Sequence, residues 1–331
     1  MSSSRVTAGD WDASRTWIDR PGADIAGYAA GLAGRFAFDI GAKLREWSER
    51  GLVIFERAAD PAVIDEYLLD LEHLTAHPGD YELMVELAAV SKPIGELTPS
   101  ELDRSRVKLV SVHSLSRAAC RLSLTRPVSE FLSCVFGGPP CVLQSLTFMK
   151  GSQQPIHIDY PYVRTQTRLA HLAASWVALE DVDPRSGPLA YYPGSHRPEV
   201  SGFFDWGGGS ILLEPDSSRT PMDFAHYLWD RMAKAGIEPV TFCPRKGDVL
   251  VWHGALAHGG TPILSPELTR KSYVTHYTSL EGYPPAHMKP GALETGAYIS
   301  ENGGFAFDFP WLTSPARLPS WGNGAGSRGR R

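Results

Sequence analysis

From Val142 onward the chain breaks into short β-rich runs separated by glycine and proline, and that texture limits what it can fold into. The runs are Val142–Met149, His171–Leu179, Leu189–Tyr192, Val240–Cys243, Val249–Trp252 and Ser272–Ser279. Strands this short bury an apolar face by packing sheet on sheet or by closing into a barrel. Ahead of residue 140 helices dominate. Ile40, Leu44 and Trp47 form an apolar stripe over Phe38–Arg50, closed by Gly51. The run LVIFE at 52–56 reads as a strand. Asp60-Pro61 opens a helix through Val63, Ile64, Tyr67, Leu68 and Leu71. Further helices are expected over 80–91 and over Val128–Val135, the latter stopped by Gly137-Gly138.

The organisation expected is a polar N-terminal segment over 1–35, wrapped on the surface or partly disordered, followed by one domain over 36–280. That domain has a helical part (36–139) and a β core (140–280) interrupted by a loop-rich insert at 197–238. In the insert, Thr220-Pro221 caps a helix through Phe224, Tyr227, Leu228 and Met232. A Gly- and Pro-rich C-terminal extension (281–331) ends in a disordered GNGAGSRGRR tail. No internal repeat is visible.

Composition removes several classes. Charged residues make up 21% and hydrophobic ones 43% of the 331 residues, a globular balance. The net charge of -5 argues against a nucleic-acid partner, which calls for a basic stripe. No apolar run approaches the ~18 residues of a membrane span, and the N-terminus has no apolar core of a secretory signal. None of the four cysteines forms a CxxC pair, so free thiols in a reducing compartment are expected. These features point to a cytoplasmic protein acting on a small molecule, with the oligomeric state unspecified.

Chemistry concentrates in His157-Ile158-Asp159, followed downstream by His258 and Arg270. Side chains two apart on an extended chain point the same way, so His157 and Asp159 can reach one metal. Two imidazoles and one carboxylate suit Fe(II) and leave coordination positions open. An arginine beyond the second histidine can clamp a carboxylate with paired hydrogen bonds. His253 competes with His258 as ligand, since both lie in WHGALAH. By strand alternation Gln144 faces inward with Leu146 and Phe148. His276, on the strand after Arg270, reads as a buried structural histidine with a site role left open.

The ordered series His157-Ile158-Asp159, Trp176-Val-Ala-Leu-Glu, Gly187-Pro188-Leu189, Pro193-Gly194-Ser195-His196, Gly247-Asp248-Val-Leu, His258-Gly259 and Arg270-Lys271 resembles the phytanoyl-CoA dioxygenase family of Fe(II)/2-oxoglutarate oxygenases. The resemblance covers roughly 38–280 and is strongest over 140–280. It implies a mainly β fold, a double-stranded β-helix (jelly roll, cupin-like) with peripheral helices. It also implies iron ligation by His157, Asp159 and His258, favoured over His253 because Gly259-Gly260 follow. Arg270 is then the partner of the far carboxylate of 2-oxoglutarate, with Lys150 and Trp176 near that co-substrate. Tyr160, Tyr162, Trp252 and His253 are expected as pocket residues. The implied reaction uses O2, hydroxylates an unactivated C–H bond and releases succinate and CO2. Related halogenases replace the carboxylate ligand with a small residue, so Asp159 favours hydroxylation. Two positions depart from the pattern: Ile158 stands where Gln is frequent, and Gly260 where relatives carry a hydroxyl residue. Alternatives are a non-redox cupin-like isomerase or lyase using another divalent metal, or a silent binding module. The first of these has no need of Arg270, and an intact His157, Asp159 and His258 triad argues against the second.

Overall fold

The computed structural model describes residues 7–87, 90–163, 165, 167–202, 206, 219–312 and 316–322. Among the described residues the strands are β1 (Leu52–Phe55), β2 (Met84–Leu87), β3 (Val90–Pro93), β4 (Val107–Val110), β5 (Pro140–Phe148), β6 (Ala173–Ala178), β7 (Leu189–Tyr191), β8 (Val240–Phe242), β9 (Val249–His253), β10 (His258–Gly260), β11 (Ser272–Ser279), β12 (Tyr298–Glu301) and β13 (Gly304–Phe307). The larger sheet runs β1-β9-β6-β11-β5-β4-β2-β3, and the β12–β13 hairpin joins it through β13 alongside β5. The smaller sheet is β10-β7-β8. Together they make a jelly roll with helices on its outer side.

Strand alternation divides the large sheet into two faces. On β9, Val249 and Val251 point outward while Leu250 and Trp252 point toward the small sheet; on β11, Tyr273 and Tyr277 oppose Val274. The outward set packs beneath the helices Ile40–Arg50, Pro61–Ala76 and Arg126–Phe136, through Leu44, Trp47, Ile64, Tyr67, Leu71, Phe131 and Leu132. The inward set meets Leu189, Tyr191 and Phe242 of the small sheet. Between the sheets, beyond these contacts, lies the cavity that holds the site.

Local signals explain the helices. Asp39 and Asp60 accept hydrogen bonds from Ala42 and Ala62 at the two N-termini. Gly51 ends the first helix at φ 73°. A Cβ there would also lie 2.5 Å from His196 Nδ1, so both conformation and close approach require glycine. Thr220 and Asp223 form a reciprocal capping box at the start of Pro221–Ala235.

Several expectations need correction. The helix over 80–91 is instead the β2–β3 hairpin, which pairs with β4. Val85 is buried while Met84 is exposed, and strand pairing across the sheet overrides a short apolar stripe that also fits a helix. The N-terminal segment, largely exposed along the surface, is anchored at points: Trp11 and Ile18 are buried, and Ser14 Oγ accepts from the Ala170 amide at 2.9 Å. The C-terminal extension likewise packs, placing Ala306 and Leu318 in the core. The expected disordered tail lies, from residue 323 on, outside the described residues, as does most of 203–218 in the insert. Among the described residues no helix is long and apolar enough to cross a membrane.

Candidate metal centre

His157 and His258 face each other across the mouth of the small sheet. They exchange both backbone hydrogen bonds at 2.9 Å, an isolated bridge that holds the His157 segment against β10. Asp159 N–H donates to Gly254 O at 2.9 Å and so ties the turn after the motif to the β9–β10 connection. The metal-ligating atoms of His157, Asp159 and His258 all lie within 4.8 Å of one another.

The hydrogen bonds prepare these side chains for a cation. His157 Nδ1 donates to Pro155 O and His258 Nδ1 donates to Leu256 O, each at 2.9 Å. A ring whose Nδ1 carries the proton presents Nε2 as a bare lone pair. Burial, helped by repulsion from His258, drops the His157 pKa to about 3, so its ring is neutral near pH 7. For Asp159 burial acts to raise the pKa, but attraction to His258 and His276 outweighs it and holds the carboxyl well below the usual range. Trp252 Nε1–H donates to Asp159 Oδ2 at 2.8 Å. Two imidazoles and one buried carboxylate are a donor set for a divalent transition metal. Gln154 donates its side-chain amide to His157 Nε2 at 3.2 Å, at the lone pair a metal would take.

The triad opens into a cavity of about 750 Å³. Arg270, 2% exposed, stands on its wall between the rings of Phe148 and Trp176, 5.7 and 5.5 Å from their centroids. Burial lowers its pKa to about 10, still charged at neutral pH. Among the described residues no ion pair joins it to a carboxylate, and its Nε has no hydrogen-bond partner. Glu180, the nearest acid to influence it, binds Lys271 instead.

Trp176, Tyr162 and Trp252 line the cavity, as do Gln144, Leu146 and Phe148 by the alternation of β5. Tyr162 also sets its edge against His157. Three expected site residues lie elsewhere. Lys150 is outside the cavity, paired with Asp103 at 2.9 Å, because β5 has ended and the chain turns outward there. Tyr160 points behind the site, donating to Ala170 O at 3.0 Å and meeting Trp11 edge-on. His253 lies on the outer face of β9, opposite Trp252 by alternation. Its Nδ1 accepts from Ala255 N–H, and its Nε2 faces Asp19 at 3.4 Å. His276, read from sequence as a buried histidine with a site role open, lines the cavity with Nε2 3.5 Å from Asp159 Oδ1. Arg270, Val274 and His276 share one parity, a signal available in the sequence. Gly260 has a steric cause, since a Cβ would meet Ser152 Oγ at 2.7 Å and the Gln153 amide at 2.8 Å.

A family model described as phytanoyl-CoA dioxygenase matches residues 47–272, which take in β1 to β10 and the site residues His157, Asp159, His258 and Arg270. The chain belongs to the phytanoyl-CoA dioxygenase family. A curated relative, the phytanoyl-CoA dioxygenase domain-containing protein 1 homolog of Caenorhabditis elegans, is 25% identical over 202 residues. That match takes in 58% of this chain and 64% of the relative, so less than two thirds of the relative's length is spanned. Solved structures share the fold at low identity. The epimerase SnoN in complex with Fe3+, alpha ketoglutarate and nogalamycin RO superposes with TM-score 0.53 and 20% identity, covering 81% of this chain and 97% of that one. The carbocyclase SnoK from nogalamycin biosynthesis gives 0.51 and 17%, covering 84% and 92%. EctD from S. alaskensis with 2-oxoglutarate and 5-hydroxyectoine gives 0.50 and 17%, covering 72% and 75%. These likenesses establish the jelly roll of this family member.

Proposed function

We propose that this family member is an Fe(II)- and 2-oxoglutarate-dependent oxygenase that hydroxylates a C–H bond of a small molecule. The reading rests on one observation above the rest: a buried guanidinium with no counter-ion among the described residues shares a cavity with a two-histidine, one-carboxylate set. A buried charge is costly unless paired. A dicarboxylate that chelates the metal at one end and meets Arg270 at the other supplies that pair.

In this reading His157 and His258 hold Fe(II) through Nε2 and Asp159 through a carboxylate oxygen. Iron with 2-oxoglutarate supplies the oxidising chemistry: R–H, O2 and 2-oxoglutarate become R–OH, succinate and CO2. The chain's residues do the rest. Arg270 orients the far carboxylate, Trp252 fixes Asp159, and Phe148, Trp176, Leu189 and Val274 keep water from the inner cavity. Gln154 must release His157 Nε2 for the metal. The non-redox alternative gives Arg270 no task.

Succinate formation from 2-oxoglutarate by the anaerobically iron-loaded protein, started by adding O2, tests the reading. Turnover that requires Fe(II), is lost in Asp159→Ala and is raised by a substrate is the result expected. Absence of succinate together with absence of 2-oxoglutarate binding to the iron-loaded protein would overturn it.

A further inference from the structure

Asp159 is approached from two sides. Trp252 occupies Oδ2, leaving Oδ1 as the oxygen nearest the second histidine ligand, 3.6 Å from His258 Nε2. A third imidazole, His276, brings its Nε2 to 3.5 Å from the same Oδ1. It is therefore as near to the carboxylate as a proposed ligand is, although it is not part of the three-atom cluster.

The strand is built to deliver this ring. β11 alternates without interruption along β6, so His276 faces the same side as Val274, while the bulge against β5 opposite His276 and Tyr277 places its extra residue, Leu143, on β5. Across β6 the partner of His276 is Ala174, whose small side chain leaves room for an imidazole. Either side of His276 the strand is pinned on its outer face. Tyr273 shares a hydrogen bond of 2.8 Å with Ser123 Oγ, and Tyr277 donates to Ser123 O and meets Ser175 Oγ at 2.8 Å. His276 itself is 4% exposed, and its Nδ1 is buried without a partner. With Nδ1 unable to donate to anything, the proton is better placed on Nε2, toward the carboxylate.

We propose that His276 is a positioning residue of the metal centre, donating Nε2–H to Asp159 Oδ1 so that Trp252 and His276 grip the two carboxylate oxygens from opposite sides. At 3.5 Å the contact is longer than a formed hydrogen bond, and an approach of about half an ångström completes it. An oxygen that accepts one hydrogen bond keeps a lone pair for the metal. A carboxylate held at both oxygens presents that lone pair in one direction, which is the task of supporting groups around metal ligands.

The inference rests on the metal assignment proposed above, and Co(II) separates the two without any turnover. Co(II) affinity and the visible ligand-field spectrum are measured for the wild type, His258→Ala, His276→Leu and His276→Gln, with folding checked by circular dichroism. Gln carries an N–H donor at a reach similar to that of His Nε2, whereas Leu fills space alone. The expected result is a roughly 10- to 100-fold loss of affinity and an altered spectrum in His276→Leu, with most of both restored in His276→Gln. If the Leu variant does not fold, His276→Phe takes its place beside His276→Gln. Wild-type protein that binds no Co(II), or binds it as well as His258→Ala does, overturns the metal assignment. Binding that depends on His258 but is equal in wild type, Leu or Phe, and Gln overturns the role of His276 alone.

Discussion

Trp252 donates its indole N–H to Oδ2 of Asp159 at 2.8 Å, joining the inner face of the large sheet to the loop that carries the first two candidate ligands. The bond is buried and strand-borne, so it orients the carboxylate before any metal arrives. Trp252→Phe keeps the packing and deletes the donor. The expected outcome is a folded protein whose Fe(II) affinity falls about 10- to 100-fold, measured by competition with a chelating indicator. Unchanged affinity would show that Asp159 needs no such support.

Arg270 separates function from stability. A lone buried guanidinium between Phe148 and Trp176 costs folding free energy that a ligand offsets. Arg270→Met should leave the ligand-free protein at least as stable in urea unfolding. It should weaken 2-oxoglutarate binding by about 30-fold or more, the effect of a ~2–5 kcal/mol loss for one half of a buried charge pair. A destabilised protein with normal 2-oxoglutarate affinity would assign the arginine to the core.

The N-terminal segment supports the site from behind. Trp11 is 2% exposed and meets Tyr160, the residue after Asp159, edge-on at 6.2 Å. Trp11→Ala should cost roughly 3–5 kcal/mol of unfolding free energy, read by denaturant titration. A cost within the ~0.5 kcal/mol of an ordinary surface substitution would return the segment to the role of a surface strap.

Acid should unfold the metal-free protein through its histidines. Burial holds His113, His157 and His196 at about 3, so they stay neutral in the fold while the unfolded chain protonates them near 6.5. The unfolded state then binds more protons between those values. The stability these groups contribute is present above pH 6.5 and is lost as pH falls toward 3. From pH 7 to 5.5 each should cost about 1.3 kcal/mol, roughly 4 kcal/mol together. Urea titrations at the two pH values measure this, and equal stabilities would contradict neutral burial.

Much of the site was legible because the residues involved are chemically unusual and regularly spaced. His157, Asp159, His258 and Arg270 are polar groups set among strand-forming apolar runs, and the structure brings all four to one cavity. Where chemistry depended on what lay across a sheet, sequence spacing carried less. The β2–β3 hairpin was hidden because four residues of apolar stripe fit helix and strand alike, and only pairing with β4 decides between them. Tyr160 and His253 were placed in the pocket by proximity along the chain, yet alternation and the turn after Asp159 send both to the far side, against Trp11. For Lys150 the family resemblance placed the residue near the co-substrate, whereas its ion pair is with Asp103, from a segment distant in sequence. His276 shows the converse: parity along β11 points it inward, and the small Ala174 across the sheet leaves its ring room beside Asp159.

The central claim is that metal and 2-oxoglutarate occupy one site built by His157, Asp159, His258 and Arg270. Anaerobic calorimetry of 2-oxoglutarate binding, with and without Fe(II), tests it most directly when wild type, His258→Ala and Arg270→Met are compared. The account predicts tight binding in the wild type only when Fe(II) is present, and its loss in both variants. Binding that ignores Fe(II), or that is equal in all three proteins, would contradict it.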